Sequence, residues 1–318
     1  MRTLRRSLET EQLITFSKVY FEKKLQDHLN LVKVSAPLFV SKNSGLNDDL
    51  NGVEKAVSFS LNDTTHEIVH SLAKWKRWYL GVLGAKVGEG IVTDMKAIRA
   101  DEHLSAIHSH LVDQWDWEKV ISKQQRTINT LITHGKAVYE ALKLTDEKIA
   151  EYFSEESKLP EDFKMINTEE LYKMYPDLSA KEREHAIAKR YGAVLLVGIG
   201  GKLSSGEVHD YRAPDYDDWT SPNDLGYAGL NADLLVWDTV REKSLEISSM
   251  GIRVDEKALA HQLHISGQTH RSQLPFHKAL LNGELPYTIG GGIGQSRVVM
   301  FVTKNAEIST VQPIFEAC

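Results

Sequence analysis

Gly290-Gly291-Gly292-Ile293-Gly294-Gln295-Ser296-Arg297, followed by Val298-Val299-Met300-Phe301, is the stretch on which the fold turns. Glycines let a backbone approach a ligand closely, and a helix that starts just after them offers its positive end and Arg297 to a nucleotide. No Gly-Lys-Ser/Thr follows, so the run is not a Walker phosphate loop. Taken alone, it reads as a glycine turn that leads into a helix over Gln295–Phe301.

Three other stretches carry chemistry. Met95-Lys96-Ala97-Ile98-Arg99 ends one predicted strand on an arginine. A polar loop reverses the chain, and the return strand reads Asp113-Gln114-Trp115-Asp116-Trp117-Glu118. With a period of two, Gln114, Asp116 and Glu118 share one face and Trp115 and Trp117 the other. That is the pattern of a binding sheet, and equally of an amphipathic hairpin with its polar face in water. Glu246-Ile247-Ser248-Ser249-Met250-Gly251-Ile252-Arg253, preceded by Asp233, places a carboxylate and two hydroxyls on a strand. Magnesium on nucleotide phosphates favours such oxygen ligands. Arg212-Ala213-Pro214-Asp215-Tyr216-Asp217-Asp218-Trp219 is a dense acidic loop.

Around these stretches the chain has ordinary globular composition, 42% hydrophobic and 26% charged over 318 residues, enough for one large core or two modest ones. Its formal net charge of -6 gives no sign of a nucleic-acid-binding face. No apolar run reaches the length of about 18 residues that a membrane span needs. Arg2, Arg5 and Arg6 are followed by alternating charged and apolar residues, which is not a secretory signal. The only cysteine is Cys318, so neither a disulfide framework nor an internal cysteine nucleophile is expected, and a cytoplasmic location is.

Periodicity predicts a helix over Glu11–Leu31, a strand over Leu31–Val34, a loop over Ser41–Gly52, strands over Ala56–Leu61 and Glu67–Val69, and a helix over Leu72–Leu83. A mainly helical insertion fills 122–191. Strands return at Ala193–Ile199, Leu234–Trp237 and Ser244–Ser248, with helices at Glu256–Leu263 and Phe276–Leu281. Without strict strand–helix alternation, the class is α+β on a largely antiparallel sheet, in one domain over 1–318.

In this order, the arginine hairpin, the carboxylate strand and the glycine run into an arginine helix resemble the class II aminoacyl-tRNA synthetase catalytic core, nearest its aspartyl and asparaginyl branch. His70-Ser71-Leu72-Ala73-Lys74-Trp75-Lys76-Arg77, Val197-Gly198-Ile199-Gly200-Gly201-Lys202-Leu203, Arg212 through Trp219, and Ser249-Met250-Gly251-Ile252-Arg253 narrow the resemblance. With them the chain is similar to the ammonia-dependent asparagine synthetases (aspartate–ammonia ligases) from about Phe16 to Phe301.

The resemblance implies ATP-dependent amidation of aspartate by ammonia through a β-aspartyl adenylate, releasing AMP and pyrophosphate. It assigns Arg99 to the α-phosphate and Arg297 to the adenine and triphosphate, with Arg212, Asp217, Asp233, Gly292 and Gly294 also at the nucleotide. Asp233 and Glu246 are its magnesium ligands. Aspartate is expected on Ser71, Lys76, Gln114, Asp116 and Ser249, Lys76 taking the substrate carboxylate and Asp116 its ammonium. Asp48 is expected to attract ammonium and take its proton, so the catalytic set is Asp48, Arg99 and Arg297. A homodimer joined through the first helix and the strand ending at Pro37 is also implied. A tRNA synthetase would need an anticodon-binding module ahead of the core, for which the sequence before the first helix leaves no room. A glutamine-dependent enzyme would need a cysteine nucleophile. A non-catalytic paralogue typically loses one of the two arginines, and both are present, as are Asp233 and Glu246.

Overall fold

The computed structural model describes residues 6–48, 50 and 54–314; the expectations placed on Arg2, Arg5 and Cys318, and part of the Ser41–Gly52 loop, lie outside these. The elements run α1 (Leu8–Leu29), β1 (Leu31–Lys33), β2 (Phe39–Ser41), β3 (Ser58–Leu61), β4 (Thr64–Ile68), α2 (Ala73–Val82), β5 (Gly90–Ile98), β6 (Leu111–Val120), α3 (Ile128–Tyr152), β7 (Lys164–Asn167), α4 (Thr168–Met174), α5 (Ala180–Tyr191), β8 (Ala193–Val197), β9 (Asn231–Asp238), β10 (Lys243–Ile252), α6 (Glu256–Ile265), α7 (Pro275–Leu281), β11 (Thr288–Gly294) and α8 (Gln295–Val302).

Local chemistry sets the boundaries. The Ser7 hydroxyl accepts from Thr10 N and starts α1 three residues before the predicted Glu11, while Asn30 in the left-handed region (φ 54°) ends it. Thr127 caps α3 in the same way, and Ser179 with Glu182 forms a capping box on α5. Arg6 lies just ahead of α1, pairing with Glu11 at 2.6 Å and donating to the carbonyls of Ser309 and Gln312, so it fastens the C-terminal tail to the first helix.

Eight strands form the main sheet in the order β1-β5-β6-β11-β10-β9-β8-β7, and β2-β4-β3 form a second, small sheet. The six central strands of the main sheet are antiparallel; β1 and β7 are added in parallel at its two edges. β7 lies inside 122–191, which the sequence read as helical: Lys164–Asn167 is too short to register a period.

Two corrections concern the centre of this sheet. Gly290–Gly294 is not a turn. It is most of β11, paired on one side with Glu118 to Gln114 of β6 and on the other with Gly251 to Ser248 of β10. The glycines serve side chains that cross the strand. A Cβ on Gly290 would lie 1.9 Å from Glu118 Oε2, and one on Gly292 would lie 2.7 Å from Gln114 Oε1. The second is a bulge in β10, where the register slips between Glu246 and Ser248. Glu246 and Ser249 are an odd number of residues apart and would face opposite ways in a regular strand. The bulge brings both onto one face, a frequent use of bulges near active sites.

One face of the sheet is apolar throughout. Trp115 and Trp117 of β6, Ile289 and Ile293 of β11, Ile247 and Met250 of β10 and Leu234 of β9 pack under α1, α3 and α8. Phe21 stacks on Trp115 with centroids 4.5 Å apart. The other face is covered only at its ends, by α4 and α5 over β8 (Leu171 and Ile187 on Val194 and Leu196) and by α2 over β5 (Leu72 and Trp75 on Met95 and Ala97). Between these flanks the middle strands are open.

Replacing Gly290 with alanine is expected to force Glu118 and Arg253 out of register with the sheet. The overpacking cost should be at the upper end of the usual range, about 3 kcal/mol or more. Urea denaturation of the G290A protein measures it, and a midpoint equal to that of the parent would mean that the Glu118 side chain moves aside freely.

Candidate active site

On the open face the registers line up two polar rows. Thr93, Asp116, Gly292, Ser249 and Asp233 form one, across β5, β6, β11, β10 and β9. Ile91, Glu118, Gly290, Gly251 and Asn231 form the next. Above them lies a cavity of about 410 Å³. Its wall includes Asp48, Ser71, Arg99, Gln114, Asp116, Asp217, Glu246, Ser249, Gly292, Gly294 and Arg297. Eleven of the fourteen residues singled out from the sequence are therefore brought together.

The floor is a buried charge network. Arg253 donates from Nε and Nη2 to the two oxygens of Glu118 (3.0 and 2.7 Å) and pairs through Nη1 with Asp217. Lys76, wholly buried on α2, donates to Asp116 and to the carbonyls of Trp117 (3.0 Å) and Gly291 (3.2 Å), with Glu118 at 3.9 Å. Burial pushes the Glu118 carboxyl up, but the Arg253 charge and hydrogen bonds outweigh it and hold Glu118 below its usual range. Asp217 goes the other way, raised by burial that Arg253 only partly offsets. An ammonium has three donors, and those of Lys76 are all engaged. Where the sequence places Lys76 at the substrate carboxylate, the structure has Lys76 bonded to Asp116 and to the carbonyls of the sheet beneath the cavity. Asp116 Oδ2 is buried without a hydrogen-bonding partner, an unfilled acceptor at the cavity wall.

Arg99 closes the β5–β6 hairpin, its amide donating to His110 O at 2.9 Å, and its guanidinium faces Glu102 at 3.6 Å. Arg297 leaves the first turn of α8 and folds back past Gly294, whose absent Cβ would lie 3.3 Å from its stem, to donate to Glu246 O at 3.1 Å. The start of α8 is fixed by Asp113, which accepts from Ser296 N (3.1 Å) and Oγ (2.7 Å) and pairs with Lys18 of α1 at 2.7 Å.

Arg212 and Asp233 are absent from the cavity wall and lie at its β9 side, paired at 2.5 Å. Burial, joined by the charge of Glu246, pushes Asp233 up to about 7 against the pull of Arg212. Asp233 Oδ1 is buried without a partner. Among the described residues no three His, Cys, Asp or Glu side chains gather as a metal cage. Asp233 and Glu246 fit the alternative that magnesium prefers, one or two carboxylates shared with phosphate oxygens and water.

A model of the aspartate-ammonia ligase family matches residues 8–316. The chain belongs to the aspartate–ammonia ligase family. Two relatives bearing that name, from Clostridium perfringens strains SM101 and 13, are 53% and 54% identical over 308 residues, which cover 96% of this chain and 89% of each relative. Asparaginyl-tRNA synthetases in complex with asparaginyl-adenylate, from Entamoeba histolytica and Pyrococcus horikoshii, superpose with TM-scores of 0.68 and 0.66 at 14% identity. They cover 98% and 96% of this chain and 68% of each synthetase. That likeness establishes the class II synthetase catalytic fold, α+β on an antiparallel sheet with flanking helices. The chain makes asparagine from aspartate and ammonia with ATP as co-substrate, and none of its helices among the described residues is long and apolar enough to cross a membrane.

The sequence reading gave Arg253 no role, though it ends the quoted Ser249–Arg253 stretch; nothing in one sequence says that its partners are Glu118 and Asp217, 135 and 36 residues away. Asp113 was hidden likewise, since its alternation places it with the tryptophans.

The lowered carboxyl of Glu118 makes stability depend on pH. A group with a folded pKa below its unfolded value contributes stability that is present above the unfolded value and lost as pH falls through the folded one. The protein should therefore lose unfolding free energy as pH drops below 4.5, the ordinary value for glutamate. Urea titrations followed by tryptophan fluorescence at pH 7, 4.5 and 3.5 test this. The E118Q protein should be less stable at pH 7, with a shallower acid slope; equal slopes would remove Glu118 from the acid response.

Proposed function

We propose that the cavity carries both halves of the reaction, adenylation of the aspartate side chain and attack by ammonia. The observation that carries the reading is the composition of the cavity wall: it holds two arginines, Arg99 and Arg297, together with Asp116, which has an unfilled acceptor, and the polar groups of Ser249, Gln114 and Ser71. Arginines suit phosphate oxygens, and a fixed carboxylate suits an amino acid's ammonium.

In this reading Asp116, held by Lys76, accepts the α-ammonium of aspartate, with Gln114, Ser71 and Ser249 donating to its carboxylates. Arg99 holds the α-phosphate and Arg297 the adenine and outer phosphates, with Arg212 and Asp217 behind them. The β-carboxylate oxygen attacks the α-phosphorus, and the bond to the bridging oxygen breaks to release pyrophosphate. Ammonia then attacks the carbonyl of the mixed anhydride, the bond to the phosphate oxygen breaks, and AMP and asparagine result. Asp233 and Glu246 would hold magnesium, which when bound neutralises phosphate charge.

Ammonia at neutral pH is mostly ammonium, so a base is needed. Asp48 lines the cavity, and burial raises its carboxyl, making it a stronger base than an exposed aspartate. Local hydrogen bonds help hold it: Asp48 Oδ1 accepts from Leu50 N at 3.0 Å, and Asn47 Oδ1 accepts from the amides of Asp48 and His70. The chain functions as one catalytic unit in the cytoplasm and as a homodimer; Phe16 and Val19 of α1 and Val32 of β1 are exposed apolar residues that suit that contact.

The test is to incubate the protein with ATP, magnesium and aspartate and to assay AMP and asparagine with ammonium or glutamine as donor. Equal amounts of AMP and asparagine with ammonium, and little product with glutamine, are expected. ADP in place of AMP would sink the adenylate route. In the same assay Asp48→Asn should cut ammonium-dependent turnover by about 10²-fold or more, the usual contribution of a general base, while aspartate-dependent ATP–pyrophosphate exchange continues. Full turnover in that variant would remove Asp48 as the base.

A further inference from the structure

A second buried charge cluster lies behind the Asp48 loop, and neither reaction half described above uses it. Asp215 Oδ2 accepts from three cationic or imidazole groups on three separate segments: Lys74 Nζ of α2 at 2.8 Å, Arg271 Nη1 at 3.0 Å, and His277 Nε2 of α7 at 2.9 Å. All four side chains are buried, Asp215 and His277 completely. Lys74 or Arg271 alone would balance the carboxylate charge, so His277 is not required for neutrality. Burial lowers the pKa of its ring and favours the neutral imidazole, which donates from Nε2 to Asp215.

What His277 does touch is the loop that carries Asp48. Its Nδ1 has no hydrogen-bonding partner and lies against Gly45, where a Cβ would come within 3.0 Å of Nδ1 and 2.9 Å of Leu274 Cβ. Gly45 is in the left-handed region (φ 76°), so glycine is required there for both space and conformation. Asp48 follows three residues later. Lys74 and Asp215 also bear on the Asp48 carboxylate directly, the first favouring its charged form and the second opposing it.

We propose that the Asp215 cluster is a positioning device for the ammonia half of the reaction, in which Asp215 locks the His277 ring as the seat of Gly45 and so fixes Asp48 at the cavity wall. The proposal rests on the reading of Asp48 as the base. Lys74, Arg271 and His277 are then positioning residues. Their loss should weaken the use of ammonium and leave adenylation, carried by Arg99, Arg297 and Asp116, in place.

The experiment uses the full-length enzyme with two readouts, aspartate-dependent ATP–pyrophosphate exchange for adenylation, and asparagine formation against ammonium concentration for the second half. His277→Ala is expected to lower kcat/KM for ammonium by about 10²-fold, the scale of a small misplacement, while exchange stays within about twofold. His277→Gln, whose amide nitrogen can still donate to Asp215, should recover most of that loss. An equal fall in both readouts, as a merely structural residue would give, overturns the proposal, and so does no change in either. Should the alanine variant fail to fold, Gly45→Ala disturbs the same contact from the loop side and must show the same split. Asp48→Asn measured in parallel separates the two ideas: if it uses ammonium normally, the reading of Asp48 has failed; if it is defective while His277→Ala is normal, only the positioning role has.

Discussion

Glu118 and Arg253 meet in a two-pronged ion pair across the face of a strand where glycine leaves room for them, and the rest of the site is arranged around that contact. Buried charges carry a large desolvation cost, recovered only when geometry is close and every hydrogen is used. β11 meets this condition by placing Gly290, Gly292 and Gly294 along its open face. Gly290 leaves room for the pair itself, Gly292 for Gln114, and Gly294 for the returning stem of Arg297. A strand of glycines is intrinsically weak. Here it is held between two long partners, β6 and β10, whose Trp115, Trp117, Ile247 and Met250 supply apolar burial on the opposite face.

The division between the two faces explains why a rigid sheet can be a reactive surface. α1, α3 and α8 cover one side completely, so the sheet does not need its other side for stability. The flanks α2 and α5 cover only the ends of that second side, and the polar rows between them are pinned from below by Lys76 and Arg253. Asp116 illustrates the result. One of its oxygens is held by a buried ammonium and the other is left without a donor. An acceptor in that state is unfavourable in the free protein and favourable as soon as a cation fills it, which is how preorganised sites turn folding energy into binding.

Much of this was legible in the sequence, for physical reasons. The alternation of Gln114, Asp116 and Glu118 with Trp115 and Trp117 is a direct consequence of the two-residue period, and it identified both faces of the central hairpin. The lack of strict strand–helix alternation gave the α+β class, and the order of hairpin, carboxylate strand and arginine helix gave the class II core through its resemblance to the synthetases. What sequence missed was non-local. The run Gly290–Gly294 looks like a turn because glycine's local signal is conformational freedom, whereas here glycine is demanded by neighbours more than a hundred residues away. The bulge that aligns Glu246 with Ser249 leaves no compositional trace. Lys76 carries the right charge for a substrate carboxylate, and only the fold reveals that its three hydrogens are already engaged.

The two charge clusters also differ in a way that matches the chemistry each would support. The Glu118–Arg253–Lys76 network sits on strands and a helix that are fixed by the main core, as befits a site that must hold a carboxylate in line with a phosphorus atom, where small displacements are costly. The Asp215 cluster instead ties together segments outside the sheet: the acidic loop, the turn at Arg271 and the start of α7, with α2 reaching across. Ammonia is small and has no orientation to preserve before it is captured, so its half of the site needs only one base at one position. A loop can provide that if it is anchored at a single point near the base. Gly45 against His277 is such a point, and the three donors gathered on Asp215 Oδ2 keep the ring in place.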